Sequence, residues 1–142
     1  MAPPGWCLDD STQKGVRTFP CNLASWKSGN QAWGFFNPVQ GDSDIQLQNQ
    51  ATHNCLDFSQ DAGLRTFPCN IPSYTNGFQA WRIIFQTRDG RAQFQVQAPP
   101  KGCLDSSQDF GLRTFPCNMP SFTNGFQAWF VGVIQAMGFV SR

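Results

Sequence analysis

The chain has 142 residues, 40% of them hydrophobic and only 13% charged, with a formal net charge of +1. One domain with a modest core fits that length. Against the roughly 25% charge of typical proteins, and with no Lys/Arg run, nothing supplies the electrostatic attraction that nucleic acid or an anionic membrane surface needs, and no run of 18 apolar residues offers a bilayer span.

The opening MAPPGW lacks the basic start and apolar run of a signal peptide, so a leader was either removed or never present. A first strand is predicted at Cys7-Leu8-Asp9. A second runs from Val16 through Arg17-Thr18-Phe19-Pro20 to Cys21, and a third lies around Gln31-Ala32-Trp33. Between Cys21 and Gln31 sits a loop bearing one aromatic, Trp26. The fourth strand, Ile45-Gln46-Leu47-Gln48, alternates apolar and polar residues as a half-buried strand does.

At Cys55 the text begins again. CLDDSTQKGVRTFPCNLASWKSGNQAW (Cys7 to Trp33) is followed by CLDFSQDAGLRTFPCNIPSYTNGFQAW (Cys55 to Trp81) and CLDSSQDFGLRTFPCNMPSFTNGFQAW (Cys103 to Trp129), each starting 48 residues after the last. Whatever one copy does, the chain is set up to do three times. The same strands are expected in each copy, and the loop aromatic becomes Tyr74 and then Phe122. Asp89-Gly90 marks a hairpin before Phe94-Gln95-Val96-Gln97, the counterpart of Ile45–Gln48. Aligned on Ile45 and Phe94, the linker strand sits one residue nearer Trp33 than Trp81, which implies compensating changes in the flanking turns. The expected organisation is all-β, a single domain over 1–142 built of repeats at about 1–48, 49–96 and 97–142, with four strands each. Thirteen residues follow Trp129 and six precede Cys7, close to the 21 of a complete linker. The two termini are therefore expected to meet and close a ring.

Six cysteines form three pairs, each with thirteen residues between its members: Cys7 and Cys21, Cys55 and Cys69, Cys103 and Cys117. Three disulfides within the repeats are the simplest of the fifteen pairings, worth about 3 kcal/mol each on the chain-entropy estimate. Six buried thiols in a reducing compartment are the alternative. Paired cysteines favour an extracellular location, while the missing leader leaves cytoplasmic residence with non-classical release. His53 is the only histidine, lies in a linker and has no repeated partner, so neither a metal, a cofactor nor a catalytic set is expected, and the chain reads as no enzyme. The repeated aspartates would sit at three separate corners instead of facing each other as glycosidase acids must.

C-L-D, a short loop, an apolar-x-x-Phe-Pro-Cys strand and Gln-x-Trp, three times over, resemble the ricin B-chain type of β-trefoil lectin, and the compact unit is also similar to the mannan-binding lectins of the actinohivin type. The resemblance covers nearly the whole chain. It implies a β-trefoil with up to three symmetric shallow sites that bind terminal sugars of glycans, galactose or GalNAc first, and a multivalent agglutinin. A protein-binding trefoil such as a protease inhibitor, or the glycan-binding subunit of a toxin or glycosidase, is the other reading.

A sugar site needs a carboxylate or amide for paired hydroxyls and a flat aromatic for the C–H face. The candidates are Asp9, Arg17, Phe19, Asn22, Asn30 and Gln31 in the first repeat, Asp57, Arg65, Phe67, Asn70 and Gln79 in the second, and Asp105, Arg113, Phe115, Asn118 and Gln127 in the third. In the family the aspartate binds adjacent hydroxyls, an aromatic near the Phe position stacks on the ring, and the Asn after the second cysteine and the residue before Gln add hydrogen bonds. Phe78 and Phe126 replace Asn30 at that last position. Strand alternation puts each Arg on the face of its Phe. From the residues alone, an Asp satisfying turn amides, a core Phe and an Asn chosen for turn geometry stay open, as does a loop aromatic (Trp26, Tyr74, Phe122) that either leans over the sugar or plugs its own loop. Trp33, Trp81 and Trp129 read as core anchors. Asp10, Lys14 and Lys27 predict a more polar first pocket.

Overall fold

A computed structural model describes residues 5–134 and 137–141. Among the described residues the chain is all-β apart from three one-turn helices. The first repeat contributes β1 (Trp6–Asp9), β2 (Arg17–Pro20), α1 (Leu23–Lys27), β3 (Trp33–Phe36) and β4 (Gln46–Asn49). The second gives β5 (Asn54–Ser59), β6 (Gly63–Pro68), α2 (Ile71–Thr75), β7 (Trp81–Gln86) and β8 (Arg91–Val96). The third gives β9 (Cys103–Ser107), β10 (Gly111–Phe115), α3 (Met119–Thr123), β11 (Trp129–Ile134) and β12 (Met137–Ser141). The four strands per repeat and the Asp89-Gly90 hairpin between β7 and β8 are as read from the sequence.

All pairing is antiparallel, and it closes. β3 pairs β4, β7 pairs β8 and β11 pairs β12, while the bridges Ile45↔Trp81, Trp129↔Ala92 and Gly138↔Trp33 join each of these hairpins to the next. Three further hairpins, β1–β2, β5–β6 and β9–β10, hang from this ring through Cys7↔Ser141, Gln48↔Cys55 and Gln95↔Cys103. The first and last strands thus meet, as the unfinished linker predicts; Met1–Pro4 and Arg142 lie outside the described residues. Closure leaves the six strands of the ring without an open edge, while the outer strands of the three further hairpins, β2, β6 and β10, pair on one side only.

The core is threefold. Trp33, Trp81 and Trp129 are fully buried among Leu8, Leu56 and Leu104, and each indole N–H donates to the carbonyl of its own repeat's leucine at 2.9, 3.0 and 3.0 Å. That bond lets a large ring enter the core with its polar atom satisfied. The disulfides Cys7–Cys21, Cys55–Cys69 and Cys103–Cys117 form within the repeats, with Cα–Cα distances of 5.0 Å and no free cysteine. Buried thiols are thereby replaced by three staples.

Two sequence expectations need correction. Leu47, not Ile45, takes the place of Phe94: both are fully buried, and their neighbours Gln48 and Gln95 face Cys55 and Cys103. The linker strand is therefore one residue further from Trp33 than from Trp81, the reverse of the expected offset. Ile45 is spent instead on the bridge to Trp81. The stretch after each second cysteine is not a simple loop but opens on a helix, capped by Asn22, Asn70 or Asn118, whose side chain accepts from the backbone N–H of Ser25, Ser73 or Ser121 at 2.8 Å. Five residues are too few for a 3.6-residue pattern to declare itself, although Asn followed by Pro72 or Pro120 in the first turn is a start signal.

Candidate functional site

In each repeat the register of one hairpin builds the site. Asp9 faces Arg17, Asp57 faces Arg65 and Asp105 faces Arg113 directly across the ladder, while Cys7, Cys55 and Cys103 face Phe19, Phe67 and Phe115. Alternation then puts Asp, Arg and Phe on one side of the hairpin and Leu8, Leu56 or Leu104 on the other, in the core. The hairpin's reversal passes through Gly15, Gly63 or Gly111, at φ of 70°, 72° and 66°, where any Cβ would find open space; the left-handed backbone itself asks for glycine there.

The aspartates are not open to a ligand. Their exposures are 2%, 0% and 1%, and both oxygens of each are engaged. One accepts from the arginine Nε at 3.4, 3.2 and 3.2 Å, and the other from the glutamine Nε2 of Gln-Ala-Trp at 3.1, 3.0 and 3.1 Å. Their expected role as readers of adjacent hydroxyls is corrected on that ground: each is the floor of a recess whose lid is the chain's own arginine. Gln31, Gln79 and Gln127, also candidate ligand contacts, are buried clamps. Each donates as well to the carbonyl of Pro20, Pro68 or Pro116 and accepts from the backbone N–H of Asn22, Asn70 or Asn118. Gln46 and Gln93 donate to Gln79 and Gln127 at 3.0 and 2.8 Å. The chain leaves no buried side-chain polar atom unpaired among the described residues.

Asn22, Asn70 and Asn118 are the helix caps described above, each also donating to the preceding proline carbonyl, the turn-geometry role that the sequence left open. Asn30 donates to the Asp10 carbonyl and accepts from Ser28. Among the loop aromatics, Tyr74 and Phe122 are buried plugs and Trp26 is half-buried, so none of the three stands out over a ligand. The Tyr74 hydroxyl donates to Asp42 at 2.9 Å, and burial together with that carboxylate pushes the phenol up to about 12. Asp10 is buried and accepts from Thr52 and Thr66, tying the first repeat to the second instead of making a pocket polar; burial raises its carboxyl above the usual range.

Arginine and phenylalanine remain at the surface. The guanidinium carbons of Arg17, Arg65 and Arg113 lie 4.1, 4.1 and 4.0 Å from the ring centroids of Phe19, Phe67 and Phe115. This is a stacked cation on an aromatic face, and the phenylalanines stay partly open, Phe67 at 39% and Phe115 at 38%. Each guanidinium spends its Nε on the buried carboxylate, and among the described residues no Nη group has a hydrogen-bond partner. Every repeat therefore displays a flat shelf with unused N–H donors, neutralised from below by an aspartate. The sequence places Arg and Phe on one face but does not reveal that the arginine covers the aspartate; the cross-strand register is the signal that carries it. The third shelf differs. Phe110, 65% exposed, covers the second face of Arg113 at 4.2 Å, where the other repeats have Lys14 and Ala62.

No protein-family model matches the chain, and no curated protein is similar to it in sequence. Its fold is similar to that of a chain in the crystal structure of the Haemophilus ducreyi cytolethal distending toxin, with a TM-score of 0.61 over 99% of this chain and 80% of that one, at 14% identity. That similarity is one of fold.

Proposed function

We propose that the protein is a β-trefoil that binds glycans without changing them, through its three Arg-on-Phe shelves. The supporting observation is the threefold recurrence of one arrangement: a guanidinium held flat on a phenyl ring by a buried carboxylate, its Nη donors turned to solvent. Sugar hydroxyls accept hydrogen bonds from a pre-oriented planar donor, and the open part of the phenyl ring gives the C–H face an apolar contact. The galactose-type preference is implied by the resemblance alone, and with Asp9, Asp57, Asp105 and Asn30 engaged within the protein the shelf reading extends to terminal sugars generally. One shallow shelf binds weakly, and avidity comes from several shelves meeting a glycan-rich surface. The disulfides fit an extracellular setting. No residue set for catalysis belongs to this reading.

A glycan array tests it. The parent protein should bind a defined subset of glycans, and the Phe19→Ala, Phe67→Ala, Phe115→Ala triple variant should lose most of that signal. Binding that survives the loss of all three rings, in protein with unchanged circular dichroism, refutes the shelves. A protease inhibitor would instead rely on one divergent loop, and would bind a protein and no glycan.

A further inference from the structure

A cleft of about 630 Å³ opens where the third repeat meets the first, within the size range of ligand sites. Its apolar wall is Trp6, Phe126 and Phe130, and Gln108, Asp109 and Asn124 add polar groups beside them. The threefold design does not explain these aromatics. The equivalent positions are Asn54, Asn30 and Gly34 at the seam between repeats one and two, and Gly102, Phe78 and Arg82 at the seam between two and three. Only this seam gathers three rings, and Trp6 is 45% exposed there.

We propose that this cleft is a fourth binding site, of a different kind from the shelves, for a neutral oligosaccharide segment. An exposed indole and two phenyl rings suit the C–H faces of successive sugars. The Asp109 carboxylate, which has no partner among the described residues, is a twin acceptor for adjacent hydroxyls, and the amides of Gln108 and Asn124 both donate and accept. The charge selects the class. Asp89 and Arg91 on the rim neutralise each other at 3.3 Å, which leaves Asp109 as the uncompensated charge in the lining, so an acidic sugar is repelled. The proposal stands on the cleft's own lining and not on the shelves.

The indole N–H resonances of ¹⁵N-labelled protein test it, because Trp33, Trp81 and Trp129 are buried and serve as fold controls while Trp6 reports the cleft. Lactose, mannobiose and diacetylchitobiose, titrated to tens of millimolar, should include at least one sugar that shifts the Trp6 resonance, whereas sialic acid should not. Asp109→Ala should weaken that response severalfold with the control resonances in place. The Arg17→Ala, Arg65→Ala, Arg113→Ala variant should retain it. A Trp6 resonance silent to all three neutral sugars, or a response that vanishes with the arginines, overturns the cleft. Array binding with a silent Trp6 leaves the shelves standing without it, and a Trp6 response in a protein whose shelf variants bind the array unchanged leaves the cleft without the shelves.

Discussion

Gln79→Glu places a carboxyl where an amide now holds Asp57. In the parent, Gln79 Nε2 donates at 3.0 Å to both Asp57 and the Pro68 carbonyl, while Oε1 accepts from Asn70 and Gln46, and Gln79 and Asp57 themselves have no solvent access. Two carboxylates at that distance cannot both ionise, so the new glutamate has to keep a proton and donate it to Asp57. Holding it protonated at pH 7 against an ordinary value near 4.3 costs up to about 3.7 kcal/mol, at 1.36 kcal/mol per pH unit. The Pro68 carbonyl loses its donor as well, adding about 1 kcal/mol. The folded-state pKa of the new group is raised, so its penalty is absent below the unfolded value and grows as pH rises toward the folded one. Urea unfolding of parent and variant should thus differ by about 1 kcal/mol at pH 4 and by about 4 to 5 kcal/mol at pH 7. A difference independent of pH would refute the idea that this glutamine clamps a buried, ionised aspartate.

Tyr74 is the only tyrosine, so its phenolate absorbance can be followed alone. Titration of the folded protein should centre at about 12, with stability falling as pH rises from about 10, the unfolded value, toward it; a midpoint near 10 contradicts the Asp42 contact. His53 holds a left-handed backbone at φ 62°, so His53→Gly should raise stability by about 0.5 to 1 kcal/mol after the entropy that glycine adds to the unfolded chain, read as a higher urea midpoint. Replacing Cys55 and Cys69 together with serine should cost about 3 kcal/mol, and a loss near zero would mean that the ring alone holds the second hairpin.

Repeats made the architecture legible. Three copies at a 48-residue period, an unfinished last linker and one cysteine pair per copy lead to twelve strands, a closed ring and three staples without any coordinates. The shared face of Arg17 and Phe19 followed from strand alternation, and the tryptophans from their apolar bulk. What stayed hidden depends on contacts between side chains far apart in sequence. That Asp57 is covered requires knowing that Gln79 reaches it from 22 residues away and that Arg65 folds back over it. Alternation alone could not choose between Ile45 and Leu47 as the core residue, because both belong to one apolar face and the choice is made by pairing with Cys55 and Trp81. Ring closure follows from the linker lengths, but which side chains it gathers, Trp6, Phe126 and Phe130, does not, since that depends on how each one is turned at the seam.

Calorimetric titration of the best array glycan into the Arg17→Ala, Arg65→Ala, Arg113→Ala variant tests the shelves most directly, with the matching Arg→Lys variant as a control that keeps the charge and loses the planar fork. If the arginine donors read the sugar, both variants bind at least about tenfold more weakly, a change of about 1.4 kcal/mol or more. If affinity holds or rises once the arginines are gone, the uncovered carboxylates of Asp9, Asp57 and Asp105 are the true readers and the shelves are only their lids.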